Sequence, residues 1–516
     1  VFTAVEDAPW AEAILIRGDR IELVGSNAAI LAAAGRGARI IDVAGRVVVP
    51  GFNDSHDHIE PRAAGVTVTT GPDPLPDPPF SLVADSLRAA VDRNPANTRL
   101  EVIVGERVLS DSRARRAALD AIAPNHPVVV SAWSGHGLIL NSSALAAAGL
   151  DDSIPDPLGG RFERDRSGRL TGLLEEYAGF GARTLLAPRT DSAVRAAIRS
   201  RADEVVKWGI TSIQSMTSAI DPADLGSVID SLDLPIRLRL IRWPETSARQ
   251  RLVGPWRSIR LTAAAPVAVS GTKYVLDGTP VERLAVMRQP YADRSRWYGR
   301  LNFPPDTVAA IFRESIAAND QPLIHAVGDS AVGLVLTSLA AAAPDSVWQR
   351  LRPRIEHGDG FSPDQFPLAR RLGVVVVQNP SHLALGSMVA ARYGPERASR
   401  YQPLKSLLAS GVTLALGSDG PLNPFLNLMF AVVHPDNPAE ALTMEQAVRA
   451  YTTGSAFAEH QEQQKGRIVA GQLADLAVLS QDIFTIPPPQ LPSTVSVLTL
   501  KGGTVVYDPE RLAMAR

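Results

Sequence analysis

Val47-Val48-Val49-Pro50-Gly51-Phe52-Asn53-Asp54-Ser55-His56-Asp57-His58 opens as a short β-branched run and closes on two histidines one residue apart. On extended backbone an i, i+2 pair faces one side, so the two imidazoles converge. A lone His-x-His also occurs by chance as a solvated pair, and its meaning depends on the rest of the chain. Seven more such runs follow, separated by Ala/Leu-rich helical stretches: Gly209–Met216, Ile236–Ile241, Thr272–Leu276, Pro322–His325, Arg354–His357, Val374–Gln378 and Thr413–Gly417. With Val47–Asn53 they make eight strands. Strand and helix in alternation predict a parallel sheet with crossover helices, an α/β fold of the (β/α)8 TIM barrel kind. In that fold the active site lies at the C-terminal ends of the strands.

Those ends carry the chemistry. His325 ends Pro322-Leu323-Ile324, His357 ends Arg354-Ile355-Glu356, and Asp419 follows Leu414-Ala415-Leu416-Gly417-Ser418. Together with His56 and His58 they give five metal-ligating groups at strand ends. Lys273, in the fourth run, completes the set: a lysine facing a metal site can react with carbon dioxide to form a carbamate that bridges two cations. In a mononuclear site Lys273 would instead be a salt-bridge partner. Taken singly, each residue could equally be a hydrogen-bonded strand-end side chain; the group as a whole points to a metal centre.

The chain has 516 residues, well beyond the roughly 250 at which one core stops growing, so a large domain with attachments is expected. About 140 residues separate Glu60 from Ser200, too many for one crossover. Residues 61–199 therefore form an inserted lid or substrate subdomain after the first barrel strand. Its Pro-rich approach, Gly71–Pro79, is read as extended, and Leu82–Arg93 and Asp111–Ile122 as helices. At the termini, Ala13–Arg17, Ile21–Gly25, Arg39–Val43, Asp475–Leu479 and Thr504–Tyr507 read as short strands. They predict a small composite β-sandwich domain from residues 1–46 and 465–516, with two separate edge hairpins as the alternative. The barrel then occupies 47–60 and 200–464.

Hydrophobic residues make up 45% and charged residues 21%, ordinary for a folded enzyme, and the net charge is -2. Without a Lys/Arg run there is no footprint for nucleic acid or an anionic membrane, so the expected partner is a small-molecule substrate. No stretch approaches the ~20 apolar residues of a membrane span. The absence of cysteine excludes disulfides and thiolate ligands and leaves His, Asp, Glu or a modified Lys to hold a metal. The first residues lack a basic and then apolar leader, which favours the cytoplasm. Val1 is not an initiator, so secretion stays open.

The order His56-x-His58, Lys273, His325, His357, Asp419 resembles the amidohydrolase superfamily. Smaller segments resemble its YtcJ-like group, which includes N-substituted formamide deformylases: Trp10-Ala11-Glu12-Ala13, Gly135-His136 with Asn141-Ser142, Thr171-Gly172-Leu173-Leu174-Glu175-Glu176, Ile324-His325-Ala326-Val327-Gly328-Asp329 and Arg354-Ile355-Glu356-His357. The resemblance runs on to Gly466-Arg467-Ile468 and Ala474-Asp475-Leu476. It implies that His56 and His58 bind one divalent metal and His325 and His357 another, with carbamylated Lys273 between them and Asp419 near the attacking water. One or two cations per chain are expected, zinc first, although manganese, iron or cobalt suit the same ligands. The resemblance also implies that Glu176 supplies or replaces the bridging carboxylate; as a residue alone it reads equally as a helix-cap acid.

Some loops depart from the resembling sequences. Leu383-Ala384-Leu385-Gly386-Ser387-Met388 stands where an acid and an aromatic are usual, Ser134 where Asp is, and Thr279-Pro280-Val281-Glu282-Arg283 where small residues are. The first departure points to a more apolar pocket, and the other loops are expected to line the mouth. His382 and His136 are candidates to touch substrate, or else structural histidines, while Trp133, Tyr274 and Phe425 are candidates for an apolar wall. His126, His434 and His460 receive no role. The expected activity is metal-dependent hydrolysis of a C–N bond in a small, hydrophobic amide, N-formyl or N-acyl compound, with Asp419 as the catalytic acid–base. Ester, carbamate or lactone hydrolysis, hydrolytic deamination, and a non-catalytic binding barrel are the rivals. A homodimer is the oligomeric expectation.

Overall fold

The computed structural model describes residues 1–61, 63–71, 77–187, 190–216, 232–253 and 267–513. Eight parallel strands form its central sheet: β1 (Phe52–Asp57), β2 (Ile210–Met216), β3 (Arg237–Arg242), β4 (Val267–Val275), β5 (Pro322–Ala326), β6 (Arg354–His357), β7 (Val375–Gln378) and β8 (Thr413–Leu416). They pair in chain order from β1 to β8. The ring closes where β8 returns to β1: Asp419 N donates to His56 O at 2.9 Å, and Asp54 Oδ1 accepts from Ser418 N at 2.9 Å. The two strands come so close that a Cβ on Gly417 would lie 2.4 Å from His56 N, which is why glycine stands there. The α/β barrel read from the sequence is thus the fold.

Helices cover the outside in the usual amphipathic way. Asp329–Ala342, for instance, buries Ala331, Val332, Val335, Leu336 and Leu339, a helical stripe set against the outward side chains of the sheet. Beneath the mouth the barrel interior is polar. Arg354 donates to Gln214 Oε1 at 2.5 Å, to Ser55 O at 2.7 Å and to Glu356 Oε1 at 2.7 Å, while Arg239 donates to Gln321 Oε1 at 2.7 Å. Buried polar groups persist only when paired, and here they pair with each other.

The first predicted strand is divided in two. Val48–Pro50 leaves the barrel and pairs antiparallel with Leu476–Leu479, which continues into Ser496–Lys501 and Thr504–Tyr507. Phe52–Asp57 alone is the barrel strand, so His56 sits within it rather than after it. Gly51 marks the switch, since a Cβ there would lie 2.2 Å from Thr211 Oγ1. The hairpin Ala13–Arg17 and Arg20–Gly25 packs Ile21 into the same apolar cluster as Val48, Leu476, Val478 and Leu500. Arg39–Val43, in contrast, is not a strand. Ile40 is 61% exposed and the segment has no pairing neighbour, so β propensity alone does not make it one.

The insertion holds a six-stranded mixed sheet, Val66–Thr67, Leu100–Val104, Val128–Ala132, Gly137–Leu140, Leu170–Glu176 and Gly160–Arg164 in spatial order. Helix Phe80–Arg93 agrees with the first helical reading, while the second helix spans only Arg116–Ile122, residues 111–115 being turn. The sheet was not read from the sequence. Within the Pro-rich approach, Pro72–Pro76 lies outside the described residues. The strand Leu170–Glu176 runs into the helix Tyr177–Leu186, whose Phe180 and Arg183 line the cavity at the barrel mouth.

Candidate active site

A cavity of about 720 Å³ opens at the C-terminal ends of the strands and is walled by barrel and insertion together. His56, His58, Lys273, His325, His357, His382 and Asp419 line it from the barrel, and Trp133, His136 and Phe180 from the insertion. Asp419 stands at the convergence. Its Oδ1 is 3.2 Å from His58 Nε2 and 3.6 Å from His56 Nε2, and its Oδ2 is 3.6 Å from His382 Nε2 and 3.7 Å from His357 Nδ1. Two sets, His56 with His58 and Asp419, and His357 with His382 and Asp419, each bring ligand atoms within 4.8 Å of one another.

Three of the imidazoles are held from behind. His56 Nδ1 lies 2.7 Å from Glu356 Oε2, and Glu356 is itself fixed by Arg354 at 2.7 and 3.0 Å. His58 Nδ1 bonds the carbonyl of Met216, and His357 Nδ1 is 2.8 Å from Asn379 Oδ1. A nitrogen occupied by a carbonyl or carboxylate sets the tautomer and leaves the other free to ligate. Nε2 of His56 and of His325 is buried with no hydrogen-bond partner among the described residues. Unpaired buried nitrogens are costly, and a cation satisfies them. The donor set, imidazole and carboxylate without thiolate, fits a divalent metal such as zinc.

Electrostatics agree with that role. Burial, with Lys273 nearby, pushes His56 down to about 4, against the pull of Asp419 and Glu356, so the ring is neutral at pH 7 and able to ligate. His325 and His357 are likewise driven well below the ordinary value, first by burial. Burial alone would raise Asp419, but His56, His58 and His357 hold it far below the usual carboxylate range. Burial lowers Lys273 to about 8. Its Nζ donates to Met216 Sδ at 3.4 Å, and no carboxylate among the described residues lies within ion-pair distance of it. The alternative of a direct salt-bridge lysine is therefore not what the geometry presents.

Backbone conformation aims several of these side chains. His357 (φ 67°), Asp419 (φ 41°) and Glu176 (φ 54°) all occupy left-handed backbone, which costs a non-glycine residue about 1–3 kcal/mol and concentrates at functional sites. The turn at His357 matters: Arg354 and Glu356 face the barrel interior, and the reversed φ lets the next residue reach the mouth as well.

Three of the sequence candidates, Tyr274, Phe425 and Glu176, do not line the cavity. Tyr274 follows Lys273 on β4, so alternation turns it outward, and it is buried in the helix-facing core beneath Arg251. Phe425 packs edge-on against Phe52 at 5.5 Å, also outside the cavity. The aromatic wall is instead Trp243 and Phe180, 5.1 Å apart, with Trp133 partly exposed at the rim. Glu176 is fully buried and does not line the cavity; its carboxylate is taken up by His136 Nδ1 at 2.9 and 3.1 Å and by Asn302 Nδ2 at 3.0 Å. Residues not singled out by sequence include Glu356, which lay in a quoted motif without a role, and Asp277. Asp277 accepts from Val286 N, Val327 N and Gly328 N at 2.8 to 3.0 Å and clamps the loops after β4 and β5.

A parallel barrel whose mouth gathers five histidines, a lysine and an aspartate defines a metal-hydrolase class of site. The chain belongs to the amidohydrolase family, whose model matches residues 39–507. It is 25% identical to the putative amidohydrolase YtcJ of Bacillus subtilis (strain 168), with 98% of each chain covered. It is 26% identical to the N-substituted formamide deformylase of Arthrobacter pascens, over 96% of this chain and 95% of that protein. Among solved structures, an uncharacterized metal-dependent hydrolase from Pyrococcus horikoshii OT3 has the same fold, with a TM-score of 0.70, 19% identity, and coverage of 92% of this chain and 95% of that one.

Proposed function

We propose that this protein hydrolyses the C–N bond of a small amide, N-formyl or N-acyl compound. The observation that carries the reading is the position of the Asp419 carboxylate, with the nitrogens of His56, His58, His357 and His382 all between 3.2 and 3.7 Å from its oxygens at the base of a small-molecule-sized cavity. His56 and His58 would hold one cation, and His325 and His357 a second. A divalent cation there supplies a Lewis acid that acidifies water to a pKa of roughly 7 and polarises the bond to be cleaved.

The chain's own groups do the rest. Lys273, a buried amine with no carboxylate partner among the described residues, adds to carbon dioxide as the free base; an N–C bond forms, a proton is released, and the resulting carbamate is an anionic oxygen ligand. Asp419 accepts the proton of the attacking water and hands it to the leaving amine, a transfer worth about 10²–10⁴ in rate. His382 faces the same carboxylate and can donate to the substrate carbonyl oxygen. Trp243, Phe180 and Trp133 give the acyl or amine substituent an apolar surface. Similarity to a formamide deformylase favours the N-formyl class.

The test is amine release from a panel of N-formyl and N-acyl amines by wild type and Asp419→Asn, with metal content measured on both. Amine from wild type and a drop of at least about 10²-fold in the variant are expected. Alcohol from the matching esters but no amine would move the reading to an esterase. Metal-free wild type without turnover would leave a binding barrel.

A further inference from the structure

We propose that the insertion donates a ligand to the barrel's cation centre: His136 Nε2, held in place by Glu176, joins His325 on the second cation. This rests on the metal-dependent reading above and adds to it a histidine from outside the barrel.

The first support is how His136 is held. Its Nδ1 meets both oxygens of Glu176, at 2.9 and 3.1 Å, and Glu176 has no solvent exposure. The same arrangement holds His56, whose Nδ1 is 2.7 Å from the equally buried Glu356. A carboxylate accepting from Nδ1–H leaves the lone pair on Nε2 and raises its basicity, the usual backing of a metal-bound histidine. His136 Nε2 makes no hydrogen bond to the described residues, and the ring lines the cavity.

The second support is spacing. The rings of His136 and His325 are 4.9 Å apart, centre to centre. Those of His56 and His58 are 5.2 Å apart, of His56 and His357 4.8 Å, and of His325 and His357 4.5 Å. His136 thus continues the cluster at the separation its other members keep, beside the buried Nε2 of His325, which makes no hydrogen bond to the described residues and lies 3.9 Å from Asp277 Oδ1.

The third is how closely the surroundings fit. Glu176 reaches His136 from backbone at φ 54°, ψ −127°, and its N–H donates to the carbonyl of His136 at 3.1 Å. On its far side a Cβ at Gly278 would come within 2.5 Å of Glu176 Oε1, and Asn302 fixes Oε2. Strained backbone and a close-fitting neighbour hold one carboxylate behind one imidazole. Solvation or helix capping needs neither.

Because the chain has no cysteine, His136→Cys introduces a single thiol and makes ligation directly visible. Metal-stripped protein is titrated with cobalt(II), and folding is checked by circular dichroism. A thiolate-to-cobalt charge-transfer band in the near ultraviolet, absent from wild type, is expected; a folded, cobalt-loaded variant without that band overturns the proposal. In parallel, His136→Ala should weaken uptake of one cation at least about tenfold, and Glu176→Gln about 10–100-fold by releasing the ring. Unchanged affinity in His136→Ala overturns the proposal even if the cysteine variant does not fold. Wild type that takes up no cobalt or zinc would instead fail the metal-dependent reading itself, an outcome visible before any variant is compared.

Discussion

Glu356→Gln removes one charge from beneath the site without replacing a proposed ligand, and its effect can be worked through atom by atom. Glu356 receives Arg354 Nε at 2.7 Å on one oxygen, and Arg354 Nη2 at 3.0 Å and His56 Nδ1 at 2.7 Å on the other. Burial would raise this carboxyl, but Arg354 and His56 hold it far below the ordinary range, so it is an anion at any working pH. Glutamine has one acceptor oxygen and one NH₂. If the oxygen serves Arg354, the NH₂ faces His56 Nδ1, which must then accept, and the ring proton moves to Nε2, where it blocks ligation. If the oxygen serves His56, the NH₂ meets the buried guanidinium donor to donor.

Breaking a buried pair on one side costs about 3–5 kcal/mol, and since Gln214 and Ser55 still accept from Arg354, the lower end applies. Loss of the support behind a ligating histidine weakens metal binding by about 10–100-fold, or about 1.4–2.8 kcal/mol. Denaturation of metal-free protein reads the first effect and zinc titration the second. A variant matching wild type within about 0.5 kcal/mol in stability and about twofold in affinity would refute the chain from Arg354 through Glu356 to His56.

Lys273→Met in metal-free, CO₂-free protein tests the burial of the amine. Folding lowers Lys273 to about 8 while the unfolded value is about 10.4, so the folded state carries a penalty below pH 8 that disappears as pH rises through that window. The stability difference between variant and wild type should therefore shift by up to about 3 kcal/mol in favour of wild type between pH 7 and 10.5, measured by urea denaturation. A constant difference would show the amine to be well solvated. Gly417→Ala should cost about 1–3 kcal/mol and lower metal affinity, because its Cβ would lie 2.4 and 2.6 Å from the backbone N and the Cβ of His56. Trp243→Ala, which opens the aromatic wall, should raise KM for substrates with bulky apolar substituents more than it lowers kcat, by steady-state kinetics on a substituent series.

Much of the barrel was legible because its signals are local. Short β-branched runs, several of them ending in polar residues, located seven of the eight strands to within a few residues, although the fourth extends upstream to Val267 and the first run shares only Phe52 and Asn53 with its barrel strand. His56, His58, Lys273, His325, His357, His382, His136 and Asp419 all line the one cavity. The errors came where a residue's fate depends on a partner distant in sequence. Val48–Pro50 was assigned to the barrel because nothing local reveals that Leu476–Leu479 will claim it. Arg39–Val43 has strand composition but no strand to pair with. The insertion's six strands are held by contacts among themselves that periodicity does not record.

Tyr274 was the avoidable error. Once Lys273 is placed facing the mouth, alternation on the same strand sends Tyr274 outward and Val275 inward, and Val275 does line the cavity. The same rule explains why Glu356 was passed over. In Arg354-Ile355-Glu356-His357 the reading gave the mouth to His357, which by alternation leaves Glu356 on the opposite face. The left-handed backbone at His357 breaks the alternation, so both side chains face inward, one as a proposed ligand and one as the support of another proposed ligand, His56. A motif with two adjacent functional residues on one strand therefore implies a backbone reversal between them. Glu175-Glu176 poses the same question at the end of its own strand, and there too the reversal falls on the second residue, the one buried behind His136.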